Sequence, residues 1–178
     1  MNNQDLQQIN LKSLIRTVPD FPKPGIQFKD ITPILRNPLF FKSAIDQMTS
    51  TLDKTAIDVV VAIEARGYLL GAGIALKIGS GIVPVRKPNK LPWLTFEESY
   101  ELEYGSETLQ IHQDAIAKGD NVLLVDDVLA TGGTLRATIN LVERFGANIV
   151  GISLLAELSF LNGRDQLKGL QVHSVISY

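Results

Sequence analysis

The residues Val122-Leu123-Leu124-Val125-Asp126-Asp127-Val128-Leu129-Ala130-Thr131-Gly132-Gly133-Thr134 decide how the rest of the chain is read. The apolar run 122–125 predicts a strand buried on both faces; it ends in two carboxylates, and a turn of small residues then opens a helix. Two glycines allow successive N–H groups to converge on an anion at that helix N-terminus, where unpaired amides and the helix dipole already favour negative charge. Thr131 and Thr134 add hydroxyl donors. Asp126 and Asp127 suit ligand hydroxyls, because a carboxylate accepts without needing a proton and a vicinal diol presents two donors. A phosphate beside a diol describes a ribose 5-phosphate. The plainer alternative has the two acids capping the helix or facing solvent, with Gly132-Gly133 a simple turn.

Outward from this unit, residues 57–63 form a second nearly continuous β-branched run, and the turn 64–67 leads from it into a Leu/Ala/Gly-rich helix ending near Gly79. Residues 82–85 and 149–156 read as further strands, and residues 40–52 as a helix. Between the strands at 121–125 and 149–156, Leu135, Ile139, Val142 and Phe145 form one apolar helical stripe that stops at Gly146. Buried strands alternating with helices predict an α/β fold, a mostly parallel sheet flanked by helices of Rossmann-like type, with ligands at the carboxyl ends of the strands. Leu6, Ile9 and Ile15 suggest a short helix before Pro19, and Pro22, Pro24 and Gly25 an irregular segment after it. Residues 87–105 hold few core residues and carry Pro88, Asn89, Pro92, Trp93 and glutamates at 97, 98 and 101; a loop this long is a lid, a binding loop or disordered.

Bulk properties narrow the classes. The 178 residues, 45% hydrophobic and 20% charged, suit one domain spanning 1–178. A net charge of −2 argues against a nucleic-acid partner held through its phosphate backbone. With no cysteine, disulfides and thiolate zinc sites are impossible. The N-terminus has no basic leader into an apolar core, and no run of about 18 apolar residues occurs, so no membrane partner and a cytoplasmic location are expected. No Walker A pattern is present, and Gly71-Ala72-Gly73 lacks the third glycine of a dinucleotide fingerprint. His112 and His173 are solitary and read as structural, with no metal-ligand spacing.

The thirteen residues 122–134 closely match the 5-phosphoribosyl-1-pyrophosphate (PRPP) signature of type I phosphoribosyltransferases. Four further segments make the chain similar to the adenine-specific members of that family: Phe21-Pro22-Lys23-Pro24-Gly25-Ile26-Gln27-Phe28-Lys29-Asp30-Ile31-Thr32-Pro33, Glu64-Ala65-Arg66-Gly67, Arg86-Lys87-Pro88-Asn89-Lys90-Leu91-Pro92 and Ser99-Tyr100-Glu101-Leu102-Glu103-Tyr104-Gly105. The resemblance implies conversion of adenine and PRPP to AMP and pyrophosphate, with Mg²⁺ carried by PRPP rather than by a dedicated site, and a homodimer. It implies an N-terminal purine-recognising arm or hood at 1–35 and a mobile active-site loop at 87–105.

Residue by residue, the resemblance places Asp126 and Asp127 on the ribose, and Ala130, Thr131, Gly132, Gly133 and Thr134 on the 5′-phosphate. Glu64, Ala65, Arg66 and Gly67 fall in the pyrophosphate loop, joined by Arg86, Lys87 and Lys90, the densest basic cluster of the chain. A solvated basic loop would look the same. Glu103 falls at the family's catalytic acid. Gln27 and Phe28 would read adenine, with Leu158 on its opposite face and Arg66 nearby. Asn89 stands where the family commonly has glycine, tolerable because Asn accepts left-handed backbone, and Trp93 enlarges the loop. Rival readings are a sister enzyme for xanthine, hypoxanthine or orotate, a non-catalytic PRPP-sensing regulator, and a subunit whose role is mainly assembly.

Overall fold

The computed structural model of the chain describes residues 9–52, 56–101 and 105–178. The chain divides into two compact units, residues 1–50 and 51–178. In the first, a single 3₁₀ turn at Leu11–Leu14 precedes β1 (Arg16–Pro19), which pairs antiparallel with β2 (Gln27–Asp30). The helix expected before Pro19 is therefore, among the described residues, one turn and a strand. Thr17 and Val18 are β-branched and prefer the extended ladder, and Pro19 could not continue a helix. Two short helices follow, α1 (Thr32–Arg36) and α2 (Pro38–Met48). Each has proline in its first turn, and Asn37 caps α2 by accepting from the Leu39 and Phe40 amides. The arm expected at 1–35 thus belongs to a unit that continues through α2.

The second unit is a five-stranded parallel sheet in the order β4-β3-β7-β8-β9, with β3 (Val59–Ile63), β4 (Gly81–Val85), β7 (Asn121–Leu129), β8 (Asn148–Glu157) and β9 (Val172–Ser177). Helix α3 (Arg66–Ile78) connects β3 to β4, and α4 (Gly133–Glu143) connects β7 to β8. The apolar runs are strands because Val60, Val61, Leu123, Leu124 and Leu154 are fully buried, as a doubly covered parallel sheet requires. Strand β9 is an addition to the four expected strands; Val172, His173 and Ser174 are only partly buried, so its pattern lacks an apolar run.

Residues 87–105 are not a continuous loop. Thr95–Glu101 forms β5, which pairs antiparallel with β6 (Ser106–His112). The hairpin lies along α4 through alternate β5 side chains. Phe96 meets Phe145 edge-on with ring centroids 5.3 Å apart, Glu98 accepts from Asn140 and Arg144, and Tyr100 reaches Thr134 at the helix start. Period-two alternation with polar residues between is what hid this strand: Glu97, Ser99 and Glu101 are its exposed face. Asn89 does adopt left-handed backbone, φ 63°. No described helix is long and apolar enough to cross a membrane.

The chain leaves β3 toward β4 in one direction and continues from β7 to β8 and β9 in the other. The switch point lies between β3 and β7, where an open parallel sheet binds ligands outside its carboxyl ends.

Candidate active site

At that point a cleft of about 260 Å³ is lined by Glu64, Ala65 and Arg66 after β3, Asp126, Asp127 and Val128 on β7, and Thr134 on α4. Lys87, Tyr100, Glu107 and Leu109 complete it. The strand does not end in the two acids, as the sequence suggested, but runs on through them to Leu129. They neither cap α4, whose N-cap is Gly132, nor face solvent; Asp126 is 8% exposed and Asp127 6%. Asp127 Oδ2 lies 2.7 Å from Arg66 Nε, a close ion pair outside hydrogen-bond geometry, and the Asp127 amide donates to Asp126 Oδ1 at 2.8 Å.

Electrostatics follow from this burial. Burial first, and the Asp127 charge second, push the Asp126 carboxyl well above the usual carboxylate range. Burial also raises Asp127, with the Arg66 guanidinium pulling the other way. Two anions held this close in a desolvated strand are a costly arrangement, and such arrangements mark sites built for a ligand.

Gly67 packs against this pair. A Cβ there would lie 3.0 Å from Asp126 Oδ1 and 3.1 Å from the Val125 carbonyl, so a larger residue at the α3 start would require the acids or β7 to give by a few tenths of an ångström. Glycine is needed in the signature turn for a reason the sequence did not reveal. Gly132 has φ 89°, and its Cβ would lie 2.5 Å from the Gly163 carbonyl; a Cβ at Gly163 would collide with the Ala130 carbonyl. The turn 130–133 is therefore pressed against the connection from β8 to β9. Gly132 offers no side chain to cap α4, which leaves first-turn amides for an external acceptor.

Arg86 and Lys87 of the basic cluster are engaged rather than free. Glu64 Oε2 accepts from Arg86 Nε at 3.3 Å and from the Lys87 amide at 3.0 Å, and Arg86 Nη1 donates to the Lys90 carbonyl at 2.9 Å. Lys87 Nζ pairs with Glu107 at 2.9 Å. Glu64 thus pairs with Arg86 and not with Arg66, which belongs to Asp127. Behind Glu64, Tyr68 donates to the Val85 carbonyl at 2.8 Å; burial, then the Glu64 charge, push its hydroxyl up to about 12.

Seven of the expected residues, Glu64, Ala65, Arg66, Lys87, Asp126, Asp127 and Thr134, share one cleft. Leu158 does not line it; with Leu129, Glu157, Asn162, Gly163 and Arg164 it borders a smaller recess of about 140 Å³. There Glu157 accepts from Arg164 Nε at 2.7 Å and from Ser174 Oγ at 2.9 Å, fastening the connection between β8 and β9. Gln27 and Phe28 lie on β2 of the first unit, where Phe28 meets Phe21 edge-on at 5.1 Å. Glu103 lies outside the described residues. Tyr100 and Glu107 are cleft residues without an expected role; the signal for Tyr100 was the alternation of 96, 98 and 100 on β5, and Glu107 on β6 had none.

A parallel α/β sheet with paired buried acids and an uncapped helix start at its switch point defines a sugar-phosphate-binding enzyme. A family model for the phosphoribosyl transferase domain matches residues 30–168. Adenine phosphoribosyltransferase of Thermotoga maritima is 54% identical over 171 residues, 96% of this chain and 99% of the relative. That of Alkaliphilus metalliredigens is 52% identical over 96% of this chain and 100% of its own. Among solved structures, the adenine phosphoribosyltransferase of Rhodothermus marinus aligns with TM-score 0.93 at 50% identity, covering 99% of this chain and 100% of its own. The Saccharomyces cerevisiae enzyme, complexed with an imino-altritol bisphosphate and adenine, aligns with TM-score 0.89 at 41% identity over 97% of this chain and 99% of its own. The chain belongs to the phosphoribosyltransferase family, in its adenine phosphoribosyltransferase branch.

Proposed function

We propose that this chain transfers the 5-phosphoribosyl group of PRPP to N9 of adenine, giving AMP and pyrophosphate in purine salvage. The observation that carries the reading is the buried pair Asp126 and Asp127, placed between the Arg66 turn and Thr134 in one cleft at the switch point. The bond from C1 to the pyrophosphate oxygen breaks and the bond from C1 to N9 forms, through a centre of oxocarbenium character. Such chemistry is governed by positioning and charge placement.

Asp126 and Asp127 accept from the ribose 2- and 3-hydroxyls, and their negative charge faces the developing cation. Ala130, Thr131, Gly132, Gly133 and Thr134 bind the 5′-phosphate. Glu64, Ala65, Arg66 and Gly67, with Arg86, Lys87 and Lys90, take the pyrophosphate. Glu103 receives the N9 proton or stabilises the base. Gln27 and Phe28 recognise adenine, main-chain N–H and C=O groups pairing with its acceptor and donor edge; Leu158 and Arg66 complete the base contacts. Mg²⁺ enters with PRPP. No three acidic or imidazole groups gather as a cage among the described residues, while the two aspartates present hard oxygens suited to the waters of such an ion. Bound there, the ion would neutralise charge on the leaving group.

The family match crosses the boundary between the two units, which supports one working domain over 1–178. Exposed apolar residues support a homodimer: Leu69 and Leu76, 52% and 86% exposed, stand seven residues apart on α3, and Ile82 of edge strand β4 is 44% exposed. A cytoplasmic location completes the reading.

The deciding assay offers the purified chain PRPP, Mg²⁺ and each of adenine, hypoxanthine, guanine, xanthine and orotate. Adenine should be preferred by at least about a hundredfold in kcat/KM, since hydrogen-bond readout rejects a base with the opposite edge strongly. Equal use of several bases points to a sister enzyme, and PRPP binding without turnover to a sensing regulator; either result sinks the assignment.

A further inference from the structure

In the cleft, Tyr100 and Glu107, which have no part in the reaction above, join by side-chain hydrogen bonds two residues that do. Lys87 Nζ lies 2.9 Å from Glu107 Oε1, Tyr100 OH donates to Glu107 Oε2 at 2.9 Å, and Tyr100 OH lies 3.0 Å from Thr134 Oγ1. The Tyr100 ring also covers the start of α4, 3.0 Å from where a Cβ on Gly133 would stand. The direction of the chain follows from proton counting. The Lys87 hydrogen bond holds the Glu107 carboxyl below its ordinary range, so Glu107 is an acceptor only. Burial pushes Tyr100 up to about 12, so it keeps its single proton and gives it to Glu107. Thr134 must then donate to Tyr100, and its one hydroxyl proton is unavailable to any other acceptor.

Resting on the phosphate roles proposed above for Lys87 and Thr134, we infer that Tyr100 and Glu107 are an internal placeholder for PRPP, which engages the residues at both phosphate ends of the site and must be displaced by the substrate. One carboxylate stands in for pyrophosphate at Lys87, and through Tyr100 it occupies the hydroxyl donor of the 5′-phosphate turn. The placeholder is weak enough to exchange. Lys87 and Glu107 are both substantially exposed, and such pairs contribute about fivefold at most to an equilibrium constant, which the several charges of a phosphate group exceed. The hairpin remains anchored on α4 through Phe96 and Glu98, so release of Tyr100 need not undock β5.

Calorimetric titration with ribose 5-phosphate and, separately, inorganic pyrophosphate tests this on the wild-type chain and on Tyr100→Phe and Glu107→Gln. Tyr100→Phe frees Thr134 and should tighten ribose 5-phosphate by about two- to tenfold, the net worth of one hydrogen bond, while leaving pyrophosphate unchanged. Glu107→Gln, which preserves size, should tighten pyrophosphate as well by releasing Lys87. Affinities equal to or weaker than wild type in both variants overturn the placeholder. Thr134→Val separates the two levels. If it weakens ribose 5-phosphate while neither variant tightens it, only the placeholder fails; if it leaves ribose 5-phosphate unaffected, the phosphate role of Thr134 itself fails.

Discussion

At the scale of single residues, the site is organised by a conflict between stability and use. Asp126 is buried beside a second carboxylate, and its raised titration means that the native state binds its proton more tightly than the unfolded chain does. Stability contributed by that group therefore falls as pH rises from the ordinary 3.8 through the raised value. Asp126→Asn removes the charge but retains an Oδ1 to accept from the Asp127 amide. Its thermal midpoint at neutral pH should exceed that of wild type, and kcat/KM for PRPP should fall about ten- to a hundredfold, the range for hydrogen bonds to a charged group. A lowered midpoint with unaltered turnover would contradict both the electrostatics and the ribose role. The acid pair was legible in the sequence as chemistry, because two carboxylates after an apolar run are conspicuous. Its ion pair with Arg66 was not, since Arg66 and Asp127 are 61 residues apart and meet only where β3 and β7 become neighbours.

At the scale of elements, the signature turn is held by its neighbour as well as by its own residues. Gly132 and Gly163 pack backbone to backbone, so the turn after β7 and the 3₁₀ segment after β8 share one fit. Gly163→Ala drives a methyl into the Ala130 carbonyl. Chemical denaturation should show a loss of about 1–3 kcal/mol, typical of overpacking, and KM for PRPP should rise because the turn must shift. An unchanged KM would mean that the turn is positioned without Gly163. The hairpin of β5 and β6 makes the same point about legibility. Pro88, Pro92, Trp93 and three glutamates suggested a loop; Phe96, Glu98 and Tyr100 form a strand because α4 and the two residues after it offer Phe145, Arg144, Asn140 and Thr134 in matching order.

At the scale of the whole molecule, the reversal of direction between β3 and β7 is what makes one cleft out of two distant turns. The exposed face of α3 carries a separate consequence. Leu76 is among the most exposed large apolar residues of the second unit, and it shares a helix face with Leu69. If this face closes the proposed homodimer, Leu76→Glu should yield a monomer by analytical ultracentrifugation at micromolar concentration, since burying a lone carboxylate opposes association. A dimer of unchanged stability would place the interface elsewhere.

The sequence by itself determined the alternation of buried strands and helices, the acids and glycines at 126–134, and the kind of ligand they suit. Each is a local property: apolar period, carboxylate chemistry, backbone freedom. The tertiary structure decided that Glu64 serves Arg86 and Arg66 serves Asp127, that residues 95–101 form a strand, and that Gly132 is fitted to Gly163. It also decided that Lys87 and Thr134 are linked through Glu107 and Tyr100. These are contacts between residues remote in the chain, and their partners are chosen by sheet order and helix packing, which no local pattern encodes.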